Sequence, residues 1–171
     1  LGTTVLIGLV VMAVLWVSPA PGHRVILLGV AGAIAAVALA LVADYRMDRI
    51  TGFLDPWSNA SAEGYQLIQG YYALGDGGIF GVGLGASRAR WFYLPNAHTD
   101  FIFAIIGEET GLIGAMTVIG LFIALAVAGW AVASRAPDLF GKMLATGITA
   151  WISFQALINI GYVVGLMPVT G

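Results

Sequence analysis

Residues 93–115, YLPNAHTDFIFAIIGEETGLIGA, set His98, Thr99, Asp100, Glu108 and Glu109 beside an apolar run. A carboxylate in such a place can take a proton from a hydroxyl as a general base. An aspartate just ahead of a helix can equally be a cap, accepting from the orphan N–H groups of the first turn. Both readings stay open for Asp100. Glu108 and Glu109 are adjacent, so on a helix they point about 100° apart and at most one shares a side with Asp100. Their plain reading is a solvated pair at a helix rim. His98 is a hydrogen-bonding loop residue or a metal ligand beside Asp100, although no further donor stands at ligand spacing. Upstream, SRARWFYLP carries Arg88 and Arg90. Guanidinium groups grip phosphate through bidentate, charge-assisted bonds. Next to Trp91, Phe92 and Tyr93 they also read as head-group anchors in an aromatic belt.

Other patterns carry no chemistry. GVGLGAS has Ala86 where a dinucleotide fingerprint needs its last glycine, and no strand precedes it. Ser87 with His98 and Asp100 is not a triad on spacing alone. Asn59-Ala60-Ser61 fits a glycosylation sequon that chance often produces. With no cysteine in the chain there is neither a disulfide framework nor a thiolate metal site.

The elements that must position these residues are apolar helices. Of 171 residues, 60% are hydrophobic and 9% charged, against about a quarter charged in soluble domains. A net charge of −2 argues against nucleic-acid binding. Four uncharged blocks, 1–22, 25–43, 110–134 and 143–171, can each supply the roughly 20 helical residues that cross a bilayer. The expected fold class is therefore an all-α, multi-span membrane bundle, with helices over 1–18, 25–43, 101–134 and 143–165. The chain reads as an internal piece of a longer membrane protein. A helix unbroken from Phe101 to Ser134 would be roughly 50 Å long, too long for the hydrocarbon. It must tilt, or its first turns must stand in a protein-lined cavity. Gly107 and Gly111 offer a hinge and a close-packing face of the GxxxG kind. Asp100 would lie about 12 Å above Glu108 along that axis, near the rim.

Residues 44–100 form a long loop between the second and third spans. Residues 44–98 carry ten of the nineteen aromatics. That content rules out a disordered linker and makes the loop fold against the helix ends. In GYQLIQGYYALG, Leu67/Ile68 and Tyr71/Tyr72 are four apart and opposite Gln66 and Gln69, the pattern of a short interfacial helix. GDGGIFGVGLGAS predicts a tight loop of close backbone approach. Arg24, Arg135 and Lys142 in the short links place those links inside and the long loop outside. Gln155 and Asn159, four apart near the end of the chain, fit interhelical hydrogen bonding.

FLDPW, GYQLIQGYYALGDGGIFGVGLGAS, YLPNAHTDFIFAIIGEETGLIGA and SFQALINIGYVVGLMPVTG together resemble the FtsW/RodA family, the shape, elongation, division and sporulation proteins of bacteria. GYQLIQ and AIIGEE are more similar to its division branch. The resemblance covers nearly the whole chain from Arg49 onward. It implies roughly the sixth to ninth of about ten spans in the bacterial cytoplasmic membrane, with the long loop extracytoplasmic. It also implies polymerisation of lipid II, an undecaprenyl-pyrophosphate-linked disaccharide-pentapeptide, into peptidoglycan at the division septum. The implied partners are a class B penicillin-binding protein transpeptidase, other divisome proteins and membrane lipids. The family's essential aspartate falls on Asp100 in AHTDF, and Arg88, Arg90, His98, Thr99 and Glu108 become the substrate-binding candidates around it. Asn96 departs from the family, where many relatives have Glu in PEAHTDF. No resident metal is implied with certainty; a divalent cation, Mg or Mn, is an alternative to the arginines for neutralising pyrophosphate. Two other readings stand beside the enzyme: a lipid II flippase, which needs polar groups descending through the bilayer, and a non-catalytic divisome scaffold.

Overall fold

The computed structural model describes residues 2–42, 53, 55–58, 64–87 and 101–167, leaving aside the side chains of residues 40–42. Five helices, α1 (Gly2–Val17), α2 (Gly22–Val42), α3 (Tyr65–Gly77), α4 (Ile102–Arg135) and α5 (Leu139–Val163), account for most of them, and no strand occurs among the described residues. The helix ends follow from local chemistry. Ser18 Oγ donates to the Leu15 carbonyl at 2.7 Å and closes α1 before Pro19 and Pro21. Asp138 Oδ2 accepts from the Gly141 N–H at 2.8 Å, capping α5 four residues earlier than the expected start at 143. At its far end Gly165 takes φ +70°, with Leu166 N–H on Gly161 O and Gly165 N–H on Tyr162 O, the paired bonds of a Schellman cap. α2 opens at Gly22 rather than at residue 25.

Three of these helices, α2 within Gly22–Leu39, α4 and α5, are long and apolar enough to cross a membrane. α1, a shorter apolar helix of 16 residues, falls on the first of the four expected helices. α4 carries a break at one of the two glycines expected to hinge it. Gly111 has φ 68° and ψ −167°, which breaks it into 102–110 and a second part running to Arg135.

The chain divides into two compact units, Leu1–Asp44 with Leu121–Ala156 and Tyr45–Gly120 with Leu157–Gly171. In the first, α1 and α2 pack so closely that a Cβ on Gly29 would lie 2.9 Å from Met12 Cε. Gly129 of α4 similarly admits Thr149 of α5. Most large apolar side chains there point outward, among them Trp16, Leu27, Trp130 and Phe140. In the second unit, Ala73, Phe101, Phe103, Ala104, Ile105, Ala115 and Val163 form a core. The buried face of α3 is Leu67, Ile68, Gly70, Ala73 and Gly77. Small residues thus continue the aliphatic stripe, and Tyr72 instead stays exposed, edge-on to Trp57 at 6.1 Å. Gln155, expected to bond between helices, is exposed on α5.

Candidate active site

The break in α4 is built from two stretches of sequence. In an unbroken helix, the N–H groups of Leu112 and Ile113 would donate to the carbonyls of Glu108 and Glu109. Here Leu112 N–H donates to Gly78 O at 2.9 Å and Ile113 N–H to Ile79 O at 3.3 Å. The freed carbonyls of Glu108 and Glu109 accept from Val82 N–H at 2.9 Å and Gly83 N–H at 3.1 Å. Two helical bonds are lost and four to the glycine-rich loop are made, so the groups freed at Glu108, Glu109, Leu112 and Ile113 are all paired again. That accounting is what a membrane protein requires of non-helical backbone. The glycines make it sterically feasible. A Cβ on Gly81 (φ +81°) would fall 2.2 Å from Glu109 O, and one on Gly111 2.4 Å from Gly81 N. Gly77 and Gly107 meet at the same crossing, where a Cβ on Gly77 would lie 2.1 Å from Gly107 O. The tight loop expected from GDGGIFGVGLGAS and the hinge expected at Gly107 and Gly111 are one joint.

Glu108 sits inside this joint. Its side chain is 2% exposed, so the solvated rim pair expected of Glu108 and Glu109 fails for it. The Ser87 hydroxyl, also 2% exposed, donates to Glu108 Oε2 at 2.5 Å, the length of a charge-assisted bond. With Asp76, Val82 and Ala86, Glu108 lines a half-open cavity of about 400 Å³. Glu109 has Oε1 buried with no hydrogen-bond partner among the described residues. Thr110 turns its hydroxyl back to the Ile106 carbonyl at 2.6 Å, a local bond of the kind that bends helices at such points. Phe101, wholly buried, lies at the start of α4, against Gly70 of α3, where a Cβ would come within 3.1 Å of its ring.

Of the residues singled out from sequence, Asp100, Arg88, Arg90, His98 and Thr99 lie outside the described residues, as does Asn96. Glu108 is described and is buried. Its partner Ser87 was weighed only as a triad member with His98 and Asp100; the signal available was its place at the end of a glycine-rich loop. Among the described residues no group of three or more His, Cys, Asp or Glu could hold a metal ion.

Comparison with known proteins places this joint in context. The family model for FtsW, RodA and SpoVE, described as cell cycle protein, matches residues 1–171. Stage V sporulation protein E of Bacillus subtilis is 47% identical over all of this chain and 47% of its own length. The probable peptidoglycan glycosyltransferase FtsW of Mycobacterium tuberculosis is 49% identical over all of this chain and 33% of its own. A solved structure from a peptidoglycan synthase complex that coordinates polymerization and crosslinking superposes with a TM-score of 0.69 at 26% identity, over 100% of this chain and 47% of that one. The chain thus spans between a third and a half of the length of these relatives.

Proposed function

The chain belongs to the FtsW/RodA/SpoVE family of multi-pass membrane proteins, and from that premise we propose that the protein it comes from is a peptidoglycan glycosyltransferase. Its substrate is lipid II, polymerised at the outer face of the bacterial cytoplasmic membrane during division. Support comes above all from one observation: relatives named as probable peptidoglycan glycosyltransferases match the chain end to end at up to 49% identity. The long loop of residues 44–100 is extracytoplasmic in this reading, and a class B penicillin-binding protein crosslinks the product at the septum.

Asp100 is the general base. It takes the proton from the acceptor sugar's 4-hydroxyl as that oxygen attacks the donor's anomeric carbon. The bond from that carbon to the lipid pyrophosphate breaks, and the pyrophosphate leaves with the electron pair. Such a leaving group needs no acid, so one carboxylate suffices where most glycoside hydrolases use two. A positioned base contributes about 10²–10⁴-fold, and the remaining acceleration rests on positioning and on neutralising the pyrophosphate. Arg88 and Arg90, with His98 and Thr99 nearby in sequence, supply that neutralising charge and the polar contacts. A divalent cation is the alternative source of charge. Loss of activity on chelation but not in Arg88→Ala would assign it to the cation, and the reverse to the arginine.

The test is Asp100→Asn in the full-length protein with its transpeptidase partner, assayed for glycan polymer from lipid II. Polymer should fall by at least about 10²-fold with expression and partner binding intact. Polymer at the wild-type rate refutes the base assignment, and movement of lipid II across vesicles without polymer replaces the enzyme by a transporter.

A further inference from the structure

We propose that Glu108 is a positioning residue, holding residues 82–87 of the glycine-rich loop at both ends; the proposal rests on the glycosyltransferase reading. Its backbone carbonyl accepts from Val82 N–H at 2.9 Å, and its carboxylate accepts from Ser87 Oγ at 2.5 Å. One residue of α4 thus grips the loop at two points five residues apart. Ser87, a small polar residue, is buried with its hydroxyl on that carboxylate, which offsets the cost of removing the hydroxyl from water. The next residue along the chain is Arg88. On the far side of 88–100, Phe101 is anchored in the core with no exposure at all. The described residues on either side of 88–100, Ser87 and Phe101, are thus both buried, and Glu108 holds the first.

A substrate contact and a positioning role make different demands on this side chain. A contact to substrate uses the negative charge, whereas holding Ser87 uses an acceptor oxygen, which glutamine retains. The experiment is lipid II polymerisation by the full-length protein with its transpeptidase partner, reconstituted in membranes. Glu108→Ala and Ser87→Ala should each lower kcat at least about tenfold, the range for losing a hydrogen bond to a charged group, with KM for lipid II within about threefold. Glu108→Gln should stay within about fivefold of wild type. The double variant Glu108→Ala/Ser87→Ala should lose clearly less than the sum of the two singles, since both remove the Ser87–Glu108 bond. Should Glu108→Ala not accumulate, Ser87→Ala and Glu108→Gln decide between them.

The proposal is overturned by a Glu108→Gln enzyme as inactive as Glu108→Ala, by a fully active Ser87→Ala enzyme, or by additive losses in the double variant. Asp100→Asn run alongside separates the two levels. If it polymerises normally, the underlying mechanism falls. If it is inactive while Ser87→Ala is unaffected, only the positioning role falls.

Discussion

The two compact units use the same apolar alphabet to opposite ends. In Leu1–Asp44 with Leu121–Ala156, long helices keep their own hydrogen bonds and turn bulky side chains outward, as at Trp130, 65% exposed. The groove there, about 580 Å³ between Val10, Val14 and residues of α5 from Phe140 to Ile152, is lined by apolar residues throughout. In Tyr45–Gly120 with Leu157–Gly171, a helix is broken, a loop is threaded against the break and a carboxylate is buried at the crossing. Glycine shows the difference most directly. In the first unit an added Cβ meets side chains, as at Gly29 and Gly129, or nothing within 4 Å, as at Gly8 and Gly32, whereas Gly77, Gly81 and Gly111 in the second would drive one into backbone. One unit is suited to hydrocarbon as its solvent. The other gives up helical regularity, which membrane proteins tolerate only where the freed groups are re-paired inside protein.

The largest effect should follow from filling the joint. Gly81→Ala and Gly111→Ala each place a Cβ on a positive-φ residue, about 1–2 kcal/mol, and overlap backbone that cannot rotate away, about 1–3 kcal/mol more. A loss of about 3 kcal/mol or more is expected, seen as failed accumulation or a much lower Tm of the full-length protein in detergent. Wild-type stability in both would mean that the loop does not occupy the break, and the contrast between the units would collapse.

Next comes the outward face of α4. Ile123, 59% exposed, lies in the stretch of that helix that follows the break. Ile123→Arg should cost about 2.5–3.5 kcal/mol of membrane insertion, the penalty for arginine near a span centre, while Ile123→Leu should be silent. An insertion assay that scores the arginine variant equal to leucine would show that this face meets water, contrary to the reading of the first unit.

What the sequence disclosed divides along the same line. Spans could be read because uncharged runs of the right length have few alternatives, and α2, α4 and α5 came within a few residues of their expected limits. Gly107 and Gly111 were legible as a hinge, and GDGGIFGVGLGAS as a loop of close approach, because glycine leaves a local mark. Their meeting was not legible. The bonds from Val82 and Gly83 to Glu108 and Glu109 are backbone bonds across 26 positions of chain, and backbone carries no side-chain signature. Glu108 was misjudged for a related reason. Periodicity gives direction around a helix, and its burial depends on a loop that arrives from elsewhere. For Asp100, Arg88, Arg90, His98 and Thr99, which fall outside the described residues, the reading stands on motif alone.

The smallest expected effect tests the open half of the comparison. Gly32→Ala lies within α2 with nothing within 4 Å of the new methyl group. Alanine is the better helix former by up to about 1 kcal/mol, because glycine loses more backbone freedom on becoming helical. The full-length protein should therefore keep its Tm or gain slightly, and Gly8→Ala in α1 should behave alike. A clear loss at Gly32 would mean that another helix of the longer protein packs against this face at glycine distance, as small-xxx-small faces do in membranes. Gly32 would then be a contact residue as Gly29 and Gly129 are, and the distinction between the units would reduce to which partner each glycine touches.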